Sequence, residues 1–397
     1  MASSSSGRRG RCADWGFRVT ARLQAAVAGG LAALFVAAFA HAEIVIGVSI
    51  SGTGPGASLG IPVRNAFEVL PKTIGGEPVR LVMVDDASDP AQGAKLVRQL
   101  AEQKVDVIIG SSTIPVAIAQ GGIASELKIP IIALCPIPLD PVGRPVVFAV
   151  PQSPSLMVEG AVEHMKANGV KTVGFIGFAD AWGDLTLKAL QQFAEGAGIK
   201  ILTNERFART DTAVNAQVIK IMAASPEAVL VGGAGTPSAA PQTAFVERGY
   251  KGPIYHMHGV VNPDFIRVAG KTGEGAIAPT GAIVVAEQLP DGHPLKKTSL
   301  DFLAAYESKF GPKTRNAFAG YAYDAYALVT AAVPKALARA KAGTPEFRQA
   351  LRDALAGSQN VVGTHAVYNL SATDHNGVDQ RGRVMVRVTN GDWRLIR

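Results

Sequence analysis

The sequence predicts an α/β fold with two doubly wound parallel-sheet lobes, and three observations carry that prediction. Short β-branched runs alternate with helix-like segments, each run leading through a loop into a helix. The alternation occurs as two series, over 43–150 and 151–282, joined by a Pro-rich passage from Pro136 to Pro154. The remainder, about 283–397, is helical and then strand-like, too short and one-sided for a third domain. It therefore returns to complete both units, which requires several chain crossings between them.

In chain order, Arg8, Arg9, Arg11, Arg18 and Arg22 stand against one acid, Asp14, in the first segment. An apolar run from Ala25 to Ala40 and a small-x-small site, Ala40-His41-Ala42, follow. That is the plan of a cleaved signal peptide over 1–42, and it predicts export to the periplasm. Ala and Gly dominate the run, which is poor material for a retained anchor. Strands are expected at Ile44–Ser49, Val79–Asp85, Val105–Ile109 and Ile131–Leu134, with helices at Ile61–Leu70, Pro90–Gln103 and Ile114–Leu127. Asp89 caps the second of these, with Pro90 at its first position. The second series reads helix Leu156–Asn168, strand Thr172–Phe178, helix Asp184–Ala197, strand Ile199–Phe207 and helix Ala213–Ala224. Strand Ala228–Gly232, helix Pro237–Arg248 and strand Pro253–His256 complete it. Helices Leu295–Phe310, Asn316–Ala340 and Pro345–Ala356 then precede strand-like Arg383–Val388 and Trp393–Ile396.

Charge and cysteine usage exclude several function classes. Without the leader's five arginines and one aspartate, 34 basic residues face 31 acidic ones, so the high pI gives no warrant for nucleic-acid binding. Cys12 leaves with the leader, and Cys135 alone makes neither an intramolecular disulfide nor a Cys/Cys zinc site. His256 and His258 flank Met257 at a strand end and are expected to share one face. Without a third ligand nearby, packing or a hydrogen bond to a ligand competes with zinc there, and no metal or cofactor is expected.

The opening stretch "IVIGVSISGTGPGASLG" admits three readings. A dinucleotide loop has the strand, the Gly-rich turn and acids at Asp85 and Asp86, but its spacing is G-x-G-x-G with Pro55 inside. Gly56 to Gly60 also fits the G-x-S-x-G elbow of a serine hydrolase, with Ser58 as nucleophile. Such an elbow follows its strand almost at once, however, and Ser58 stands well beyond Ser49. The third reading takes the loop with the other strand ends: Gly110–Ile114, Cys135–Pro138, Ala179–Gly183, Gly233–Pro237 and His258–Asn262. Ligands of open α/β sheets bind at such ends, and free N–H groups at helix starts hold anions. Ser111, Ser112 and Thr113 form the best carboxylate cradle, and Trp182 is placed for a ligand. A binder with no catalytic residue results.

These segments together resemble the periplasmic substrate-binding proteins of the branched-chain amino acid type that serve ABC importers. The resemblance rests on the opening stretch, "DDASDPAQGAKLVRQL", "VDVIIGSSTIPVAIA", "VGFIGFADAWGDL", "AVLVGGAGTPSAAPQTAFVERGYKG", "NAFAGYAYDAYALVTAA" and "TPEFRQALRDAL". It implies a type I periplasmic-binding-protein fold with a three-strand hinge. The N-terminal lobe would be 43–150 plus 283–360, and the C-terminal lobe 151–282 plus 361–397. It further implies a monomer that closes on a small solute and delivers it to a membrane permease. Carried over by position, the family's carboxylate contacts fall on Ser111, Ser112 and Thr113. A second contact segment falls on Cys135, Pro136 and Ile137, apolar here, and an aromatic contact on Trp182. Ser58 and Leu59 lie on the cleft rim, and Phe318 joins the candidates. Where amino-acid binders carry an acid for the ammonium, His258 stands, and a frequent aromatic is replaced by Ala234. A buried ammonium without a carboxylate partner is costly. The expected solute is therefore an organic acid, an aromatic carboxylate or keto acid; branched-chain amino acids and an exported Ser58 hydrolase are the alternatives.

Overall fold

The computed structural model describes residues 1–2 and 43–396. The predicted leader, beyond its first two residues, lies outside the described residues, as does Arg397. No helix among the described residues is long and apolar enough to cross a membrane.

The first lobe is built on β1 (Ile44–Ile50), β2 (Thr73–Ile74), β3 (Glu77–Asp85), β4 (Val107–Ile109), β5 (Ile131–Ala133) and β6 (Val147–Ala149), ordered β2-β3-β1-β4-β5-β6. Every residue of β1 is buried, as a central strand covered on both faces must be. Helices α1 (Ala57–Phe67), α2 (Pro90–Glu102) and α3 (Ile114–Leu127) connect the strands. The second lobe holds α4 (Pro154–Ala167), β7 (Thr172–Phe178), α5 (Ala181–Ala197), β8 (Lys200–Phe207), α6 (Asn215–Ala223) and β9 (Ala228–Gly232). It continues with α7 (Ala239–Glu247), β10 (Ile254–His256), α8 (Pro263–Ala269) and β11 (Ile277–Thr280). The chain then returns to the first lobe, where α9 (Lys296–Phe310), α10 (Ala317–Leu337) and α11 (Pro345–Ala356) follow, with α9 and α10 against α1. After a short ribbon, β12 (Val361–Val362) and β13 (Val367–Tyr368), strands β14 (Val384–Thr389) and β15 (Asp392–Ile396) finish the second sheet. Its order is β15-β14-β11-β10-β9-β7-β8, parallel from β11 to β8 and antiparallel at β14 and β15.

The chain thus passes between the sheets three times, and side chains tie the passages together. Tyr368 Oη donates to Asp324 Oδ2 (2.7 Å) and lies 3.0 Å from Val150 O, so one proton is shared between the two acceptors. Gln152 Nε2 donates to Gly382 O (2.6 Å), and its Oε1 accepts from Tyr321 Oη (2.8 Å). At the second passage, a Cβ on Gly281 would collide with the His365 ring, so only glycine lets the chain cross there.

Three departures from the sequence reading have physical causes. Helix α1 begins at Ala57 rather than Ile61, because Pro62 lies inside the helix instead of marking its first turn. Ser58 and Leu59 are consequently helical. Strand β6 lies within the Pro-rich passage that reads as a linker; three residues paired to Ile131–Ala133 are too few to signal a strand. Strand β11 and helix α8, also short, escape for the same reason.

Candidate functional site

The carboxyl ends of the parallel strands of both lobes converge on one small cavity of about 20 Å³. From the first lobe come Leu59, Ser112, Thr113, Ile114, Cys135 and Pro136, with Phe318 from the start of α10. The second lobe supplies Trp182, Arg209, Ala234, His258 and Gly259. Helices α3 and α5 touch across the cleft, and the walls stand so close that a solute of benzoate size requires them to part.

The first wall is organised by a buried carboxylate. Asp86 is fully buried; its Oδ2 accepts from Ser49 Oγ (2.9 Å), and its Oδ1 accepts from Ser51 Oγ (2.8 Å) and Ser88 N (3.0 Å). Ser51 Oγ in turn lies 3.0 Å from Ser111 Oγ and 3.4 Å from Thr113 Oγ1. Ser111 is therefore occupied inside the wall and does not line the cavity, unlike its neighbour Ser112. Ser112 Oγ is buried and has no hydrogen-bond partner among the described residues. The Thr113 side chain does not cap α3, and Pro115 has no N–H, so the helix start presents Ile114 to the cavity. Burial pushes the Cys135 thiol well above its usual range, leaving it a neutral, small apolar surface. The glycines of the opening stretch serve packing: a Cβ on Gly60 would collide with the Ser51 backbone.

The second wall carries the aromatic and charged groups. Asp180 caps α5, its Oδ1 accepting from Trp182 N (2.9 Å), so Trp182 belongs to the first helical turn rather than to a loop. The indole N–H donates to Gly233 O (3.1 Å), and the ring meets His258 edge-on at 5.5 Å between centroids. Burial lowers His258 to about 4, so the imidazole is neutral at pH 7, and its Nδ1 has no partner among the described residues. Arg209, just past the end of β8, donates from Nε to Asp180 Oδ2 (2.6 Å) and lies over the Phe178 ring at 4.2 Å.

Three expectations from sequence end elsewhere. Ser58 Oγ accepts from Thr236 N (3.3 Å), a bond across the cleft, and no histidine among the described residues hydrogen-bonds to it. Ile137 packs into the cores beside the cavity. His256 and His258 do not share a face. The strand ends at His256, whose Nε2 pairs with Gln242 Oε1 (2.8 Å), and the next turn carries His258 to the cavity. No group of three or more His, Cys, Asp or Glu placed to hold a metal ion occurs among the described residues. Arg209 is the residue that sequence reasoning missed, although the end of β8 is a strand end like the others.

Comparison with known proteins adds four findings. The model of the periplasmic binding protein family matches residues 43–392. An extracellular ligand-binding receptor from Rhodopseudomonas palustris HaA2 is 43% identical, with a TM-score of 0.87 over 89% of this chain and 100% of that one. A Leu/Ile/Val-binding protein of Rhizobium johnstonii is 25% identical over 76% of this chain and 86% of its own length. An ABC-transporter solute-binding protein from R. palustris, solved with benzoate, shares the fold at 19% identity, with a TM-score of 0.76 over 89% of this chain and 95% of that one.

Proposed function

Because the chain belongs to the periplasmic binding protein family, whose members bind small solutes outside the cytoplasm for ABC transporters, we propose that its own solute is an organic acid, an aromatic carboxylate or aromatic keto acid. One observation carries this reading: no carboxylate among the described residues lines the cavity, while Trp182 and Phe318 do. An α-amino acid would bring its ammonium into a site without a counter-charge, at a cost of several kcal/mol (order of magnitude). A flat ring, by contrast, meets Trp182, Phe318, Leu59, Ile114 and Pro136, and the small Ala234 leaves it room. The benzoate held by the R. palustris neighbour agrees with that class through the fold alone.

The protein acts as a monomer, exported by its leader to the periplasm, with lobes divided near residues 150, 282 and 360. The solute docks on one open lobe, and closure brings the other wall against it. The closed state is favoured because only there does the solute touch both walls. No covalent step is required, and a permease receives the solute.

Thermal denaturation of the exported protein against leucine, isoleucine, valine, benzoate, hydroxybenzoates, benzoylformate and phenylpyruvate tests this. A solute at a hundred times its Kd adds about 2.7 kcal/mol, and the midpoint rises by a few degrees. A rise with aromatic acids and none with leucine is expected. A rise with leucine alone would replace the aromatic reading by the branched-chain one that the R. johnstonii relative's name suggests.

A further inference from the structure

Resting on that reading of the cavity, we propose that Arg209 selects the acid group of the solute, while Ser112 and His258 receive a second, uncharged polar group such as a hydroxyl or keto oxygen. Among the described residues, Arg209 is the only charged side chain that lines the cavity. It also lines the open groove of about 530 Å³ formed with 210–215 and the 236–247 segment, so it stands where the cavity meets the outside. Its Nε is committed to Asp180 and its face to Phe178, while neither Nη has a partner among the described residues. Asp180 is itself fixed by the Trp182 N–H, so the guanidinium is held in place before any solute arrives. Such a planar fork matches a carboxylate with two donors, which a point charge does not.

The remaining polar groups of the cavity call for different chemistry. Ser112 and His258 are 2% and 3% exposed, and Ser112 Oγ and His258 Nδ1 both lack partners among the described residues. One is a hydroxyl; the other is an imidazole kept neutral by burial. Buried polar atoms left unpaired are costly, so a solute that answers them binds better than one that does not. A plain aryl acid satisfies Arg209 alone. A hydroxy or keto acid has a further oxygen for Ser112 or His258.

Calorimetric titration of the exported full-length product with benzoate, benzamide, 4-hydroxybenzoate and benzoylformate tests both halves. Wild-type protein is expected to prefer benzoate to its neutral amide by about 30-fold, the scale of a charged hydrogen bond. It should prefer 4-hydroxybenzoate or benzoylformate to benzoate by about fivefold. In D180N/R209Q, which leaves no lone carboxylate behind, the acid-to-amide ratio should fall to within about threefold. R209K, which keeps the charge and loses the fork, should fall between and serves if the double variant does not fold. In S112A the advantage of the hydroxy or keto acid over benzoate should vanish. An unchanged acid-to-amide ratio in R209K or in the folded double variant overturns the Arg209 assignment alone. Unchanged hydroxy and keto ratios in both S112A and H258F overturn the second half. Wild-type protein that prefers benzamide or leucine overturns this assignment together with the reading beneath it.

Discussion

The first wall of the cavity pairs most of its polar atoms internally, whereas the second leaves several of its own without partners among the described residues. On the first wall, Asp86 gathers Ser49, Ser51 and Ser88, and Ser51 passes the network on to Ser111 and Thr113. Ser112 is the exception. On the second wall, the Nη groups of Arg209 and Nδ1 of His258 have no partner among the described residues. A network satisfied internally fixes a shape, because any displacement breaks several hydrogen bonds at once. A wall with open donors decides what may enter. Substitutions on the first wall should therefore be read out mainly in stability, and those on the second mainly in affinity.

The largest expected effect is the one that blurs this division. Trp182 belongs to the second wall, yet it is 2% exposed and part of the hydrophobic core. Trp182→Ala should cost about 3 kcal/mol or more of stability in denaturant titration, as large aromatic truncations do. It should also weaken binding of an aromatic acid by at least about tenfold, since the ring supplies much of the apolar contact. Unchanged affinity for the acid would remove ring packing from the account. Asp86→Ala then sharpens the division. It leaves two hydroxyls and a backbone N–H without their acceptor, worth about 3 kcal/mol of stability, with affinity falling only through the distorted wall. Equal stability of the variant and the wild type would show that the network does not hold the wall.

The pH dependence separates His258 from the rest. Its folded value of about 4 lies below its ordinary 6.5, so its contribution is present above pH 6.5 and lost as pH falls toward 4. Each pH unit in that window removes about 1.4 kcal/mol, about 3 kcal/mol in full. Buried His256 and His365, both lowered to about 3, act in the same direction. Asp324 opposes them: raised from 3.8 to about 6 by burial, it contributes below pH 3.8 and loses that contribution as pH rises through 6. His258→Asn should therefore reduce the fall in unfolding free energy between pH 6.5 and 4 by about one proton's slope. Parallel curves for variant and wild type would mean that His258 is not buried neutral.

Much of this site is legible in the sequence because one rule, ligands at the carboxyl ends of parallel strands, converts strand positions into site positions. Ser112, Cys135, Trp182, Ala234 and His258 are adjacent to predicted strands in the chain, and the structure brings them together. Arg209 obeys the same rule but follows β8, the edge strand of its sheet, from which a reading centred on Gly- and Ser-rich loops turns away. Its neighbours Thr210 and Asp211 also read as an ordinary polar turn. Ser111 and Ser112 cannot be told apart by spacing. Only the position of Ser51, 60 residues earlier, decides which hydroxyl is occupied. Phe318 is among the contacts expected from the resemblance rather than from a strand end, and it lines the cavity because α10 returns to the first lobe with its first turn at the cleft.

The smallest expected effect concerns Ser58, where the hydrolase and closure readings part. The Thr236 N–H that Ser58 Oγ accepts belongs to the opposite lobe, and at 3.3 Å the bond is long. In the parted state both groups are hydrated, so the bond contributes only to closure, by about 0.5–1 kcal/mol. Ser58→Ala should therefore leave the unfolding of each lobe unchanged and weaken solute binding about two- to fivefold. X-ray scattering at subsaturating solute should show a larger fraction of parted lobes. A nucleophile behaves differently, since its loss abolishes turnover while binding persists. Ester hydrolysis by the purified protein that disappears in Ser58→Ala would therefore establish the enzyme. Affinity equal to wild type, with no turnover in either protein, would show that closure rests on the apolar walls and on the packing of α3 against α5, and that the Ser58–Thr236 contact merely follows.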